Sequence, residues 1–160
     1  VSNFATDAEL VRFYGNMQQE GKPGQFREWT RQVGLHDDGV GPLLARGSAL
    51  ADYDNDGDLD VAINTIGGAP ALLQTSITSG NWLQIQLDRF YPGAVVEVVL
   101  PDGRTLVREW LVGSSYLASE DPRLHVGLGQ FDEASLVRVK WRDEVWEATA
   151  VSANQLLKLP

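Results

Sequence analysis

The chain has 160 residues, enough for one sizeable core or two small ones, and no apolar run approaches the ~20 residues of a membrane-spanning helix. A net charge of −9, from 22 acidic and 13 basic residues, argues against nucleic acid as a partner, because phosphate binding wants a basic surface. Cysteine is absent, so disulfide arithmetic is silent about compartment.

In chain order, residues 1–20 carry no strong period, and residues 8–14 read either as a turn or two of helix or as a strand. Gly21-Lys22-Pro23-Gly24 is turn chemistry, and residues 26–30 form a short strand. The run His36-Asp37-Asp38-Gly39-Val40-Gly41-Pro42 is a loop. His36 beside two carboxylates offers a metal ligand, although a hydrophilic loop residue is the simpler reading. Strands are expected at about 47–51, 59–64 and 70–74. Residues 75–80 are small and polar, which divides the chain into a unit over 1–76, a linker over 77–80 and a domain over 81–160.

Past the linker the pattern is all strand. Leu83, Ile85 and Leu87 alternate with Gln84, Gln86 and Asp88, and Val137, Val139 and Trp141 alternate with Arg138, Lys140 and Arg142. Residues 94–100 and 104–111 flank Pro101-Asp102-Gly103, which has hairpin-turn chemistry. Residues 145–150 and 155–159 complete about six short strands, the pattern of an antiparallel β-sandwich.

The segment with the most chemistry is Asp52-Tyr53-Asp54-Asn55-Asp56-Gly57-Asp58-Leu59-Asp60, where five carboxylates share one short loop. Two carboxylates about 5 Å apart repel by roughly 3 kcal/mol at an effective dielectric near 20, and a divalent cation reverses the sign. Calcium, with about 6–8 oxygen ligands in flexible geometry, suits this donor set better than magnesium, which prefers an octahedron and keeps its waters. Alternate residues of a loop wrapped on an ion face inward. That assigns the side chains of Asp52, Asp54, Asp56 and Asp60 as ligands, together with the backbone carbonyl of Asp58. Gly57 permits the sharp turn. An EF-hand needs Glu at the twelfth loop position, where this chain has Ile63, and the following residues alternate as a strand rather than repeating as a helix. The loop is therefore expected between strands.

Residues 47–61, with Gly24-Gln25-Phe26-Arg27-Glu28-Trp29-Thr30 and Val33-Gly34-Leu35 upstream, resemble an FG-GAP/VCBS repeat, a β-propeller blade unit of integrin α-subunit type. The resemblance implies calcium held by Asp52, Asp54, Asp56, Asp58 (through its carbonyl) and Asp60. Further on, four blocks occur in the order found in the ASPIC/UnbV domain: Asn81-Trp82-Leu83, Gly93-Ala94-Val95-Val96, residues 113–119, and Asp121-Pro122-Arg123-Leu124-His125-Val126-Gly127-Leu128-Gly129. That domain follows FG-GAP/VCBS repeats in bacterial secreted proteins and in the cartilage acidic protein family. After Trp141 the family usually continues with Pro and a Gly-containing turn, whereas this chain has Arg142-Asp143-Glu144.

A single propeller blade cannot bury its own faces. Three readings follow, of which the favoured one is that the chain is the C-terminal piece of a longer multi-repeat protein. The others are that it packs its one unit on the sandwich, or completes its exposed strand edges by self-association. Its start at Val1, without Met or signal peptide, fits a removed leader, a cut chain or a proteolytic fragment.

Other chemistry is thinner. His125 near Ser114, Ser115 and Asp121 raises a Ser-His-Asp hydrolase, but no Gly-x-Ser-x-Gly elbow accompanies it. Of the five tryptophans, Trp29, Trp82, Trp110, Trp141 and Trp146, most are expected in the core; Trp146 is the one expected to be exposed, where its face is offered for stacking on a sugar. The expectation is an all-β chain, a partial propeller-type calcium-binding unit followed by an antiparallel sandwich. It is read as extracellular or periplasmic, non-catalytic, and binding protein or glycan. The alternative is an extracellular hydrolase acting on polymers.

Overall fold

The computed structural model describes residues 8–35, 40–76, 80–111 and 113–160. His36, Asp37 and Asp38, and most of the expected linker, lie outside the described residues. The chain divides into two compact units, one drawing on residues up to 47 plus 63–71 and the other on 48–62 plus 72–160. The acidic loop thus groups with the C-terminal unit, across the boundary that composition suggests at residue 76.

The first unit is built from small pieces. β1 (Glu9–Leu10) pairs antiparallel with β4 (Pro42–Leu43), and β2 (Tyr14–Asn16) pairs antiparallel with β3 (Phe26–Glu28). A 3₁₀ turn, Met17–Glu20, follows β2. Residues 8–14 therefore split between two strands rather than forming a helical turn. Gly15 is required in β2 because a Cβ there would lie 2.0 Å from the Trp29 ring. Among its described residues this unit buries only Met17 and Ile63 as large apolar side chains, while Leu10, Phe13, Phe26 and Val33 remain exposed. So small a core supplies little hydrophobic stabilisation.

β5 (Ala45–Ala51), β6 (Asp60–Thr65) and β7 (Ala71–Leu73) form a sheet in the order β5-β6-β7. The acidic loop is the β5–β6 connection, between strands as expected.

The rest of the second unit is a pair of sheets. β9 (Val95–Val99), β10 (Thr105–Glu109), β12 (Glu133–Trp141) and β13 (Glu144–Ser152) form an antiparallel sheet in the order β10-β9-β12-β13. β8 (Asn81–Leu87) is the centre of the other sheet, flanked by β11 (Leu124–Gly129) and β14 (Gln155–Leu159). β14 runs parallel to β8, so the sandwich is not wholly antiparallel. Alternation cannot reveal strand direction, and here β14 reaches β8 by crossing from the other sheet.

One apolar cluster draws on both sheets: Leu83, Ile85 and Leu87 from β8, Val96 and Val98 from β9, Val126 and Leu128 from β11, and Val137 and Val139 from β12. Their period of two follows from the strand geometry. Pro101-Asp102-Gly103 closes the β9–β10 hairpin: Gly103 N donates to Leu100 O (2.9 Å), and Gly103 takes φ +85°. Arg142-Asp143 makes a two-residue turn between Trp141 and Glu144, with Arg142 at φ 53°, so the turn forms without a glycine. Trp110 is buried, and Trp141 and Trp146 both pack on Tyr91, each with ring centroids 5.0 Å away. Trp146, expected to be exposed, is half-buried; it projects from β13 onto the same tyrosine as Trp141.

Candidate metal centre

The loop between Ala51 and Asp60 folds on its own short polar side chains. Asp54 Oδ1 accepts from Asp56 N (3.3 Å) and Asp56 Oδ1 from Asp58 N (2.9 Å), the i to i+2 pattern by which aspartates imitate backbone turns. Asn55 takes φ 62°, a conformation Asn tolerates better than most residues. Gly57 takes φ 100° and a Cβ on it would lie 1.9 Å from Trp82 Nε1, so glycine is required twice over.

The strands bring Asp52, Asp54 and Asp60 together, with one carboxylate oxygen of each within 4.8 Å of the others. Asp52 is 1% exposed and Asp60 2% exposed. Three charges at that separation repel by about 3.5 kcal/mol per pair at an effective dielectric near 20, so roughly 10 kcal/mol in all. Among the described residues no Lys or Arg forms an ion pair with any of the three. Neutral donors take up most of their oxygens. Asp60 Oδ2 accepts from Tyr53 N (3.2 Å) and Oδ1 from Thr75 N (2.8 Å); Asp54 Oδ2 accepts from Gln74 Nε2 (2.6 Å). Asp52 Oδ2 accepts from Gly57 N (3.1 Å) and Gln84 Nε2 (2.7 Å). Asp52 Oδ1 is buried with no hydrogen-bond donor. A buried carboxylate oxygen is expensive to leave so, and a bound cation removes the cost. The all-oxygen donor set suits a hard divalent ion.

Of the five loop aspartates, Asp52, Asp54 and Asp60 form this cluster, while the Asp56 carboxylate turns to Asp58 N. The carboxylate count alone does not separate the cluster from the two aspartates that shape the loop.

Three further side chains outside the loop hold it, and sequence patterning assigns none of them this role. Gln84 on β8 is 3% exposed, faces away from Leu83 and Ile85, and donates to Asp52. Just before β11, Arg123 Nη2 donates to the Asp52 carbonyl (2.7 Å), and its Nη1 donates to Asn55 Oδ1 (2.6 Å) and Gln84 Oε1 (3.3 Å). The Arg123 Nε and Nη2 also bond the Asp121 carboxylate, at 2.9 and 2.5 Å to Oδ2. The hydrogen bond to Asp121 holds the Arg123 guanidinium above its ordinary pKa. Burial alone pushes the Asp121 carboxyl up, but hydrogen bonds and charge from Arg123 outweigh it and hold Asp121 below the ordinary value. On β11, His125 Nε2 donates to the Gly57 carbonyl (2.8 Å) and its ring stacks on Trp82 at 6.2 Å. In β8 the polar alternation of Gln84 reads as a solvent face, because the residue that covers it is 32 positions away in the chain. Arg123 and His125 stand in a block that carries the family resemblance, but the block itself assigns them no role.

The groups of the hydrolase alternative are separately engaged. His125 Nε2 serves Gly57, Asp121 pairs with Arg123, Ser114 donates to Glu120, and Ser115 Oγ accepts from Ser48 N (3.1 Å).

No helix among the described residues is long and apolar enough to cross a membrane. Residues 85–160 match the family described as ASPIC and UnbV. Cartilage acidic protein 1 of Mus musculus and of Homo sapiens are each 27% identical over 97% of this chain, and that of Xenopus tropicalis is 29% identical over 89%. The chain spans about a quarter of the length of these relatives, at 27%, 26% and 25% respectively. Over residues 85–160 it is thus similar to the ASPIC and UnbV family, and over nearly its whole length to part of cartilage acidic protein 1.

Proposed function

We propose that the 52–60 loop binds one calcium ion as a structural ligand, within a secreted, non-catalytic module that binds protein or glycan at an extracellular surface. The observation that carries the metal reading is the buried, donorless Oδ1 of Asp52 beside Asp54 and Asp60. Asp52, Asp54 and Asp60 supply carboxylate oxygens, and Asp56 and the Asp58 carbonyl complete the set after a small loop adjustment. Residues 1–76 are read as an FG-GAP/VCBS-type unit and 81–160 as the ASPIC/UnbV sandwich of a longer protein. Relatives named for cartilage support the extracellular setting, where calcium is plentiful.

A thermal melt with millimolar calcium and with excess chelator tests the ion. At a calcium concentration about 100 times Kd, binding adds about 2.7 kcal/mol, which is about 5–10 °C in Tm for a chain of this size. Asp54→Asn with Asp60→Asn is expected to abolish the rise. An unchanged Tm in the parent chain would sink the metal reading, and an equal rise with magnesium would sink its identity as calcium.

A further inference from the structure

We infer that Gln84 and Arg123 are positioning residues that set the cation affinity of the loop, tying metal binding to the sheet made by β8 and β11. The inference rests on the metal reading above. Its basis is separate: besides Gly57 N of the loop, the polar atoms that fix Asp52 come from Gln84 on β8 and from Arg123 just before β11.

Gln84 is almost wholly buried at mid-strand, and both ends of its amide are spoken for. Nε2 donates to Asp52 Oδ2, and Oε1 accepts from Arg123. Only one orientation of the amide satisfies a carboxylate on one side and a guanidinium on the other. That orientation engages Oδ2 of Asp52 and leaves Oδ1 as the atom without a donor. Arg123 fixes the same residue from the backbone side through the Asp52 carbonyl, and reaches Asn55, the left-handed residue of the loop, with Nη1. Asp121 holds the guanidinium plane by two oxygens. Asp52 is thereby held at its carboxylate, its carbonyl and its loop neighbour. A ligand held in place loses less freedom when the ion arrives, and outer groups that orient ligands are worth 10–100-fold in metal affinity.

Neither residue is a metal ligand. Arg123 in particular brings positive charge, which by simple Coulomb reckoning weakens cation binding. Removing the fork while keeping the charge separates the two effects: Lys is a point charge and cannot span Asp52, Asn55 and Asp121 together.

The test measures the calcium Kd of the 160-residue chain, by competition against a chromophoric chelator, for the parent, Gln84→Met and Arg123→Lys. Folding is checked for each by far-ultraviolet circular dichroism. The expected result is a Kd raised about 10-fold or more in both variants, in line with other orienting groups. A parent that binds calcium while both folded variants bind it within twofold of the parent overturns the positioning role and leaves the metal reading standing. A parent that does not bind overturns both. Should Gln84→Met fail to fold, Arg123→Lys decides alone. Hydrogen exchange adds a readout that a purely structural role would not move: amides of β8 and β11 slow on calcium addition in the parent and do so less in Arg123→Lys.

Discussion

Gly57→Ala is expected to be among the most damaging conservative changes in this chain. The position has φ 100°, where an L-residue stores roughly 1–3 kcal/mol of backbone strain. The new methyl would also sit 1.9 Å from Trp82 Nε1 and 2.3 Å from its Cε2, so ring or loop must move. Forcing a packed ring aside costs about 1–3 kcal/mol, and moving Trp82 disturbs its stacking on His125 as well. The sum is about 4 kcal/mol, or about 10 °C in Tm for a chain of this size. Urea denaturation in excess chelator reads this without any contribution from the metal. A double-mutant cycle then separates the two causes: in a Trp82→Ala background, Gly57→Ala should keep only its backbone cost of about 1–3 kcal/mol. A loss below about 1 kcal/mol in the parent background refutes the reasoning. An identical loss with and without Trp82 refutes the steric half of it.

Ile85→Ala removes a fully buried side chain from the cluster shared by both sheets, and a loss of about 2–5 kcal/mol in urea midpoint analysis is expected; a loss under 1 kcal/mol would place that core elsewhere. Glu97 is held below its ordinary pKa of 4.5 by hydrogen bonds from Lys140 and, behind it, Arg138. Its contribution to stability is therefore present above that ordinary value and is lost as pH falls through the lowered folded value. A carbon-detected titration of the Glu97 carboxyl should show the low midpoint, and Glu97→Gln should flatten the fall in stability between pH 5 and pH 3 by a small amount; a normal midpoint would mean the cross-strand pairs are not kept in solution.

The alternation of Leu83, Ile85 and Leu87, and of Val137 and Val139, made the strands and their buried faces legible, because a period of two follows from strand geometry alone. The Pro101-Asp102-Gly103 turn was legible for the same local reason: Gly103 takes the positive φ that the hairpin requires. The acidic loop announced itself by charge density. What the sequence could not supply was strand direction and long-range company. β14 lies parallel to β8, and Trp146 turns inward onto Tyr91, because the packing of one sheet on the other chooses between faces that look alike in sequence.

The metal site divides along the same line. Sequence alone determined that Asp52, Asp54, Asp56, Asp58 and Asp60 share one turn that needs Gly57, since spacing and charge are local properties. The tertiary structure decided which three carboxylates converge, and that Gln84, Arg123 and His125 hold the turn from positions 32 to 71 residues away. Those contacts exist only once β8 and β11 are side by side, and a hydrogen bond between distant residues leaves no periodic trace in the chain that makes it.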